Sequence, residues 1–215
     1  RRLAFIDPMM PTSVESPPGE GDWSTEVKFD GWRCQVIIDE SGVRVFTGHG
    51  EDWTTPLQPI AHAAAEELGV SSAIFDGELV YADESGRRDF QALEEIVRSR
   101  TDKLTFIAFD LLHLNGEDLR RQPLFARREA LQGIIRPGRR IQYSEAMVGF
   151  PAQIFPIIEE RDLEGIVCKR PNSSYVSGNT TQWLKVKAFI KSEFEILGVQ
   201  RDPGKPTMAL MGTIG

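Results

Sequence analysis

The chain has 215 residues, enough for one sizeable domain with a buried core and part of another. Hydrophobic residues make up 40% and charged residues 27%, an ordinary globular balance, and no apolar run reaches the length of a membrane span. A net charge of −7 argues against a protein that coats nucleic acid non-specifically.

The N-terminal run Arg1–Phe5 lacks the apolar stretch of a signal peptide, and Pro8, Pro11, Pro17, Pro18 and two glycines predict irregular structure over residues 1–25. Glu26–Arg33 then concentrates a lysine, two carboxylates, a glycine and an arginine between apolar residues, which reads as a strand ending in a working loop. A hairpin follows: strand Arg33–Ile38, turn 39–42, return strand Val43–Thr47. A helix is expected over Pro59–Leu68, stopped by Gly69, then a strand over Ala73–Tyr81 and a short amphipathic helix over Phe90–Val97. Leu104–Leu114 is the most apolar run and predicts a buried strand interrupted by Asp110. Beyond it come a helix over Pro123–Ile135, a short strand over Ile141–Ser144 and a helix over Pro151–Arg161. Strands at Ile166–Lys169 and Trp183–Val186 are joined by a polar loop, 171–181, and a last strand, Ser192–Gln200, leads into a turn at 202–206. There is no internal repeat. Many strands with few helices, and no regular alternation of the two, predict an α+β fold with mostly antiparallel sheet.

Cys34 and Cys168 lie in separate strand-like runs and read as buried free thiols of a reducing, cytoplasmic protein. With His49, His62 and His113 scattered, no zinc site is expected. The polar residues set inside apolar strands are more informative, because burying them is costly unless they are paired or used. They are Lys28, Asp30, Asp76, Glu78, Asp110, Glu164, Lys169, Lys185 and Lys187. Four of the acids neighbour a glycine (Asp30-Gly31, Asp76-Gly77-Glu78 and Glu164-Gly165), where backbone can approach closely or adopt positive φ. Glu164–Lys191 runs against the acidic balance, with Lys169, Arg170, Lys185, Lys187 and Lys191 facing one acid.

The familiar phosphate loops, hydrolase elbows and zinc-helix motifs are absent, and no histidine sits in a triad-like context. Lysine is the strongest nucleophile candidate; it must be neutral to attack, which burial or neighbouring cations favour. Taken singly, each candidate has a plainer reading: Phe109 as core, Glu164 as a turn acid, Lys185 and Lys187 as a solvated strand face.

Lys28-Phe29-Asp30-Gly31-Trp32-Arg33 resembles the Lys-x-Asp-Gly-x-Arg signature of the covalent nucleotidyltransferases, which include ATP-dependent DNA ligases, RNA ligases and mRNA capping enzymes. Further motifs of that family follow in its order: Phe75–Leu79, Phe106–Leu112, Glu164–Lys169 and Trp183–Lys187. Phe5–Met9 and the Trp-Leu-Lys-Val-Lys form are most similar to bacterial and archaeal ATP-dependent DNA ligases. The resemblance implies an ATP-grasp-like nucleotidyltransferase core and a set of roles. Lys28 would attack the α-phosphate of ATP and carry AMP. Glu26 would accept from the adenine amino group, with Phe109 and Val167 on the two faces of the base. Glu78 would bind the ribose hydroxyls, and Arg33 the ribose and later the nicked strand. Glu164 would hold or orient Mg²⁺ (or Mn²⁺), with Asp30 and Glu78 as further metal candidates. Lys185 and Lys187 would bind the α-phosphate. AMP would pass to the 5′-phosphate of nicked duplex DNA, and the 3′-hydroxyl would then expel it. An RNA ligase, a GTP-dependent capping enzyme and a non-catalytic binding module are the alternatives.

Two departures stand out. Relatives carry an arginine that helps hold DNA where this chain has Gly48. The family also closes its site with an oligonucleotide-binding barrel ending in a sixth, basic motif. Glu193–Val199 resembles only the first strand of that barrel. The expected division is therefore an adenylation domain over residues 1–190 and the start of a barrel over 191–215, belonging to a longer, monomeric protein whose full activity needs the rest of the barrel.

Overall fold

The computed structural model describes residues 2–81, 97, 101–136, 140–188, 194–201, 204 and 208–213. The strands are β1 (Met9–Ser13), β2 (Ser24–Val27), β3 (Trp32–Asp39), β4 (Gly42–Thr47), β5 (Ala73–Tyr81), β6 (Leu104–Leu114), β7 (Glu117–Asp118), β8 (Ile141–Tyr143), β9 (Ala146–Met147), β10 (Gly165–Lys169), β11 (Gly178–Lys187), β12 (Phe194–Gln200) and β13 (Met208–Thr213). The helices are α1 (Gln58–Glu67), α2 (Leu124–Ile134) and α3 (Pro151–Glu160). No helix among the described residues is long and apolar enough to cross a membrane. The expected helix Phe90–Val97 lies outside the described residues apart from Val97, and the turn at 202–206 lies outside them apart from Gly204.

One sheet has the order β4-β3-β5-β6-β7, with β8 pairing in parallel to β6; a second runs β1-β11-β10-β2-β9; β12 and β13 pair with each other. Among the described residues every pairing apart from β1–β11 and β6–β8 is antiparallel, in keeping with the expected α+β fold. β5 and β6 are buried on both faces, which explains their near-continuous apolar runs. One side of the first sheet packs through Val36, Phe75, Leu79, Phe106 and Leu111 onto Ile60 and Ala64 of α1 and Leu131 of α2. Its other side presents Ile37, Ile74, Phe109 and Leu112 to Met9 and Trp183 of the second sheet. The far face of the second sheet is covered by Ile154 and Ile158 of α3, against Ile166, Cys168 and Val186. Full burial of each such side chain stabilises the fold by roughly 1.5–3 kcal/mol before entropy is counted. Both cysteines are free and buried, as expected.

Two expectations of irregular structure are corrected. Residues 9–13 form β1, which pairs in parallel with β11 from Met9↔Gly178 to Ser13↔Lys185, and the register shifts between Pro11 and Thr12. A proline is tolerated there because β1 is an edge strand with a bulge. The loop expected over 171–181 is shorter, since β11 begins at Gly178. Both segments look irregular locally and become strands only by pairing with each other. Residues 24–27 likewise form β2, alongside β10.

The acid-adjacent glycines serve the sheets. A Cβ on Gly31 would lie 2.3 Å from the Leu79 carbonyl oxygen, and one on Gly165, whose φ is +147°, would lie 2.0 Å from the Val186 carbonyl oxygen. Backbone approaches backbone at these positions, so no side chain fits.

Candidate active site

β2 ends at Val27, and the chain turns so that the Lys28 amide donates to the Gly165 carbonyl at 2.9 Å. That bond, with the pairs Glu26↔Val167 and Val27↔Ile166, places the Lys28 loop beside the Glu164 loop. The Lys28 ammonium donates directly to Glu164 Oε1. Glu164 Oε2 is buried and has no protein partner.

Glu26, Lys28, Arg33, Glu78, Phe109, Val167 and Lys185 line one cavity of about 240 Å³ in the seam between the two sheets. Strand alternation explains the selection. Val167 and Lys169 of β10 face the cavity, while Ile166 and Cys168 face α3. Lys187 shares the Lys185 side of β11 but is exposed and lies beyond the cavity lining. Asp30 is half-buried in the loop after Lys28 and does not line the cavity either. A larger depression of about 720 Å³ lies under Leu3–Ile6, but the Arg120 and Asp118 charges on its rim are paired with each other at 2.7 Å. Convergent charge, rather than volume, marks the smaller cavity as the site.

Phe109 is 7% exposed and meets Trp183 edge-on at 6.2 Å. The Arg33 guanidinium and the Lys169 ammonium lie 4.5 and 4.4 Å from its ring centre. Arg33 is locked by a two-pronged bond to Asp76 at 2.6 and 2.7 Å and donates to the Met9 carbonyl at 3.2 Å. Burial opposes its charge, yet Asp76 outweighs that and raises the guanidinium above its ordinary range. Burial pushes the Glu78 carboxyl up to about 7, against the opposing pull of Arg33 and Lys28.

Glu26 is 2% exposed. Its Oε1 lies 2.7 Å from the Lys169 ammonium and 2.9 Å from the Arg128 guanidinium, and its Oε2 accepts from the Ser144 hydroxyl at 2.6 Å. Burial pushes Lys169 down to about 8 while Glu26 pulls it back. Among the described residues no group of three metal-ligating side chains forms. The free Glu164 oxygen is nonetheless a hard acceptor beside the cavity, which suits a cation that takes its other ligands from phosphate and water.

Several residues of this site were not singled out by sequence reasoning. Met10 and Pro11 form a wall because residues 9–13 are a strand. Arg128 and Ser144 bind Glu26 from behind, and Tyr175 donates to Asp76 at 2.5 Å. One signal was available for Arg128: Leu124, Arg128 and Leu131 share the buried stripe of a helix, where an arginine needs partners.

An α+β core with a lysine and its carboxylate partner at the mouth of an inter-sheet, cation-rich cavity defines the nucleotidyltransferase class. The profile of the ATP-dependent DNA ligase domain matches residues 8–187, and the chain belongs to that family. It is 36% identical over 203 residues to the multifunctional non-homologous end joining protein LigD of Pseudomonas aeruginosa, covering 93% of this chain and 24% of that protein. It is 31% identical over 214 residues to a DNA ligase of Natronomonas pharaonis, covering 94% of this chain and 38% of that one. The chain thus spans about a quarter to two fifths of the length of these relatives. The crystal structure of the ligase domain from M. tuberculosis LigD superposes with a TM-score of 0.72 at 29% identity, covering 97% of this chain and 68% of that one. A mycobacterial DNA ligase D complexed with ATP and MES gives 0.71 at 28% identity, with the same coverage.

Proposed function

We propose that this chain is the adenylation core of an ATP-dependent DNA ligase. The carrying observation is Lys28, ion-paired with Glu164 at the edge of a cavity that also holds Glu26, Arg33, Glu78, Phe109, Val167 and Lys185. ATP enters with its base between Phe109 and Val167, its amino group toward Glu26 and its ribose toward Glu78 and Arg33. Lys28 gives up a proton, for which Glu164 is the acceptor in contact, and the free amine attacks the α-phosphorus; the bond to pyrophosphate breaks, a further N–H proton is lost, and lysyl-AMP forms. Lys185 opposes the charge that develops on the α-phosphate, with Lys187 further out on the same side of β11 adding to it. Glu164 would hold Mg²⁺ or Mn²⁺, with Asp30 and Glu78 as further candidates, and the ion when bound would neutralise phosphate charge. AMP then passes to the 5′-phosphate at a nick in duplex DNA, and the 3′-hydroxyl displaces it to seal the strand.

Residues 191–215 fit the same reading as the opening of an oligonucleotide-binding barrel, because β12 and β13 leave Ile196, Leu197, Val199, Met208 and Leu210 exposed. Residues 1–190 then form the adenylation domain. A cytoplasmic, monomeric enzyme, fully active only with the complete barrel, belongs to this reading.

The test is incubation with ATP or GTP labelled at the α-phosphate, followed by peptide mass analysis. Adenylyl on the Lys28 peptide is expected, with none in Lys28→Ala. Label from GTP but not ATP, or adenylyl persisting in Lys28→Ala, sinks the proposal.

A further inference from the structure

Arg128 stands in α2, outside every motif used so far, yet it is 5% exposed and both of its Nη atoms are engaged behind the cavity. Nη1 lies 2.9 Å from Glu26 Oε1 and donates to the Phe109 carbonyl at 3.2 Å. Nη2 donates to the Ser144 carbonyl at 2.6 Å, and the Ser144 hydroxyl donates to the other Glu26 oxygen at 2.6 Å. The Ser144 amide is itself fastened to the Ala108 carbonyl at 2.8 Å, and Tyr143 lies under the guanidinium at 4.8 Å. One planar group therefore touches the carboxylate proposed to read the base edge, the backbone of the residue proposed to stack on the base, and the serine that sets the carboxylate's rotation. Lys169 supplies Glu26 with charge at 2.7 Å but makes no such bond to the Phe109 backbone.

We propose that Arg128 is a positioning residue for the nucleobase, which fixes the Glu26 carboxylate relative to the Phe109 ring and thereby sets the preference for adenine over guanine. The proposal rests on the ligase reading above. Adenine presents an amino donor where guanine presents a carbonyl acceptor. A carboxylate held in the plane of the stacked base accepts from the first and repels the second. A carboxylate free to rotate does both less well, so the two affinities converge. The fork geometry is essential, since a lysine keeps the charge but cannot span Glu26, Phe109 and Ser144 together.

The measurement is equilibrium binding of ATP and of GTP to the protein, to Arg128→Lys, to Glu26→Gln and to the double variant, with near-ultraviolet circular dichroism as a check on the fold. Arg128→Lys should lower the ATP-over-GTP affinity ratio by about tenfold, the low end of what one close buried charge pair contributes. The double variant should lose no more than Glu26→Gln alone, because Arg128 acts through Glu26. Ser144→Ala, which removes only the hydroxyl on Glu26, should erode the same ratio by about threefold and stands in should Arg128→Lys fail to fold. Equal losses of ATP and GTP affinity, strictly additive losses in the double variant, or an unchanged ratio in Ser144→Ala would each overturn the proposal. A parent protein that binds neither nucleotide would instead remove the ligase reading, and this inference with it.

Discussion

Arg33 and Asp76 meet in a two-pronged ion pair, Nε to Oδ1 at 2.6 Å and Nη2 to Oδ2 at 2.7 Å, across β3 and β5 at the wall of the cavity. The pair extends into both sheets. Tyr175, in the loop between β10 and β11, donates to Asp76 and accepts from the Met9 amide at 3.0 Å, while Arg33 donates to the Met9 carbonyl. Met9 belongs to the edge strand whose next residues, Met10 and Pro11, form a cavity wall. A wholly buried carboxylate thus fastens the two sheets where the site lies between them.

Asp76→Asn leaves Arg33 without its counter-charge in that seam. Breaking a buried pair from one side costs about 3 kcal/mol. Urea unfolding should report a loss of that order, together with weaker ATP binding. A loss within 0.5 kcal/mol, the scale of roughly neutral surface changes, would mean that the seam does not depend on this pair.

Glu164→Gln removes the acceptor that holds the Lys28 ammonium and the buried oxygen left free for a cation. Transfer of AMP to Lys28 should slow by about a hundredfold or more, while ATP binding changes by less than about threefold. Single-turnover labelling and equilibrium titration separate the two effects. Equal losses in both would assign Glu164 to ground-state binding alone.

Phe109→Leu keeps an apolar side chain in the seam but removes the aromatic face beside Val167. Stacking on a base contributes about 1–3 kcal/mol, so ATP affinity should fall about tenfold. The ribose triphosphate lacking a base provides the control. If its affinity falls by the same factor, Phe109 is core and not a stacking platform.

Glu78 makes stability depend on pH in a defined window. Its carboxyl is raised by burial from an ordinary value of 4.5 to about 7. Between those values the folded chain holds a proton that the unfolded chain has released. The stabilisation is therefore complete below about pH 4.5 and is lost as pH rises through about 7. Glu78→Gln should flatten this part of the curve in thermal unfolding from pH 5 to pH 8. An unchanged slope would place the titration elsewhere.

Much of the candidate site was legible in one dimension because it is carried by short runs. The Lys28–Arg33 stretch, the Asp76–Glu78 stretch and the Glu164–Lys169 stretch could each be recognised locally, and most core strands followed from their apolar runs. The glycines were also conspicuous. Their purpose was not, because the carbonyl that excludes a Cβ at Gly31 or Gly165 belongs to a distant strand.

Order and spacing along the chain therefore determined the family, the α+β class and a list of candidate site residues, since these depend on residue type and on periodicities within single elements. Tertiary structure alone decided which of those residues share a cavity. It drew Met10 and Pro11 into a wall through a parallel pairing with β11, set Lys185 at the cavity and Lys187 outside it, and enlisted Arg128, Ser144 and Tyr175 as supports. The physical reason is that pairing register and buried charge compensation are properties of surfaces in contact. Lys28 and Glu164 stand 136 positions apart and meet only because β2 and β10 lie side by side.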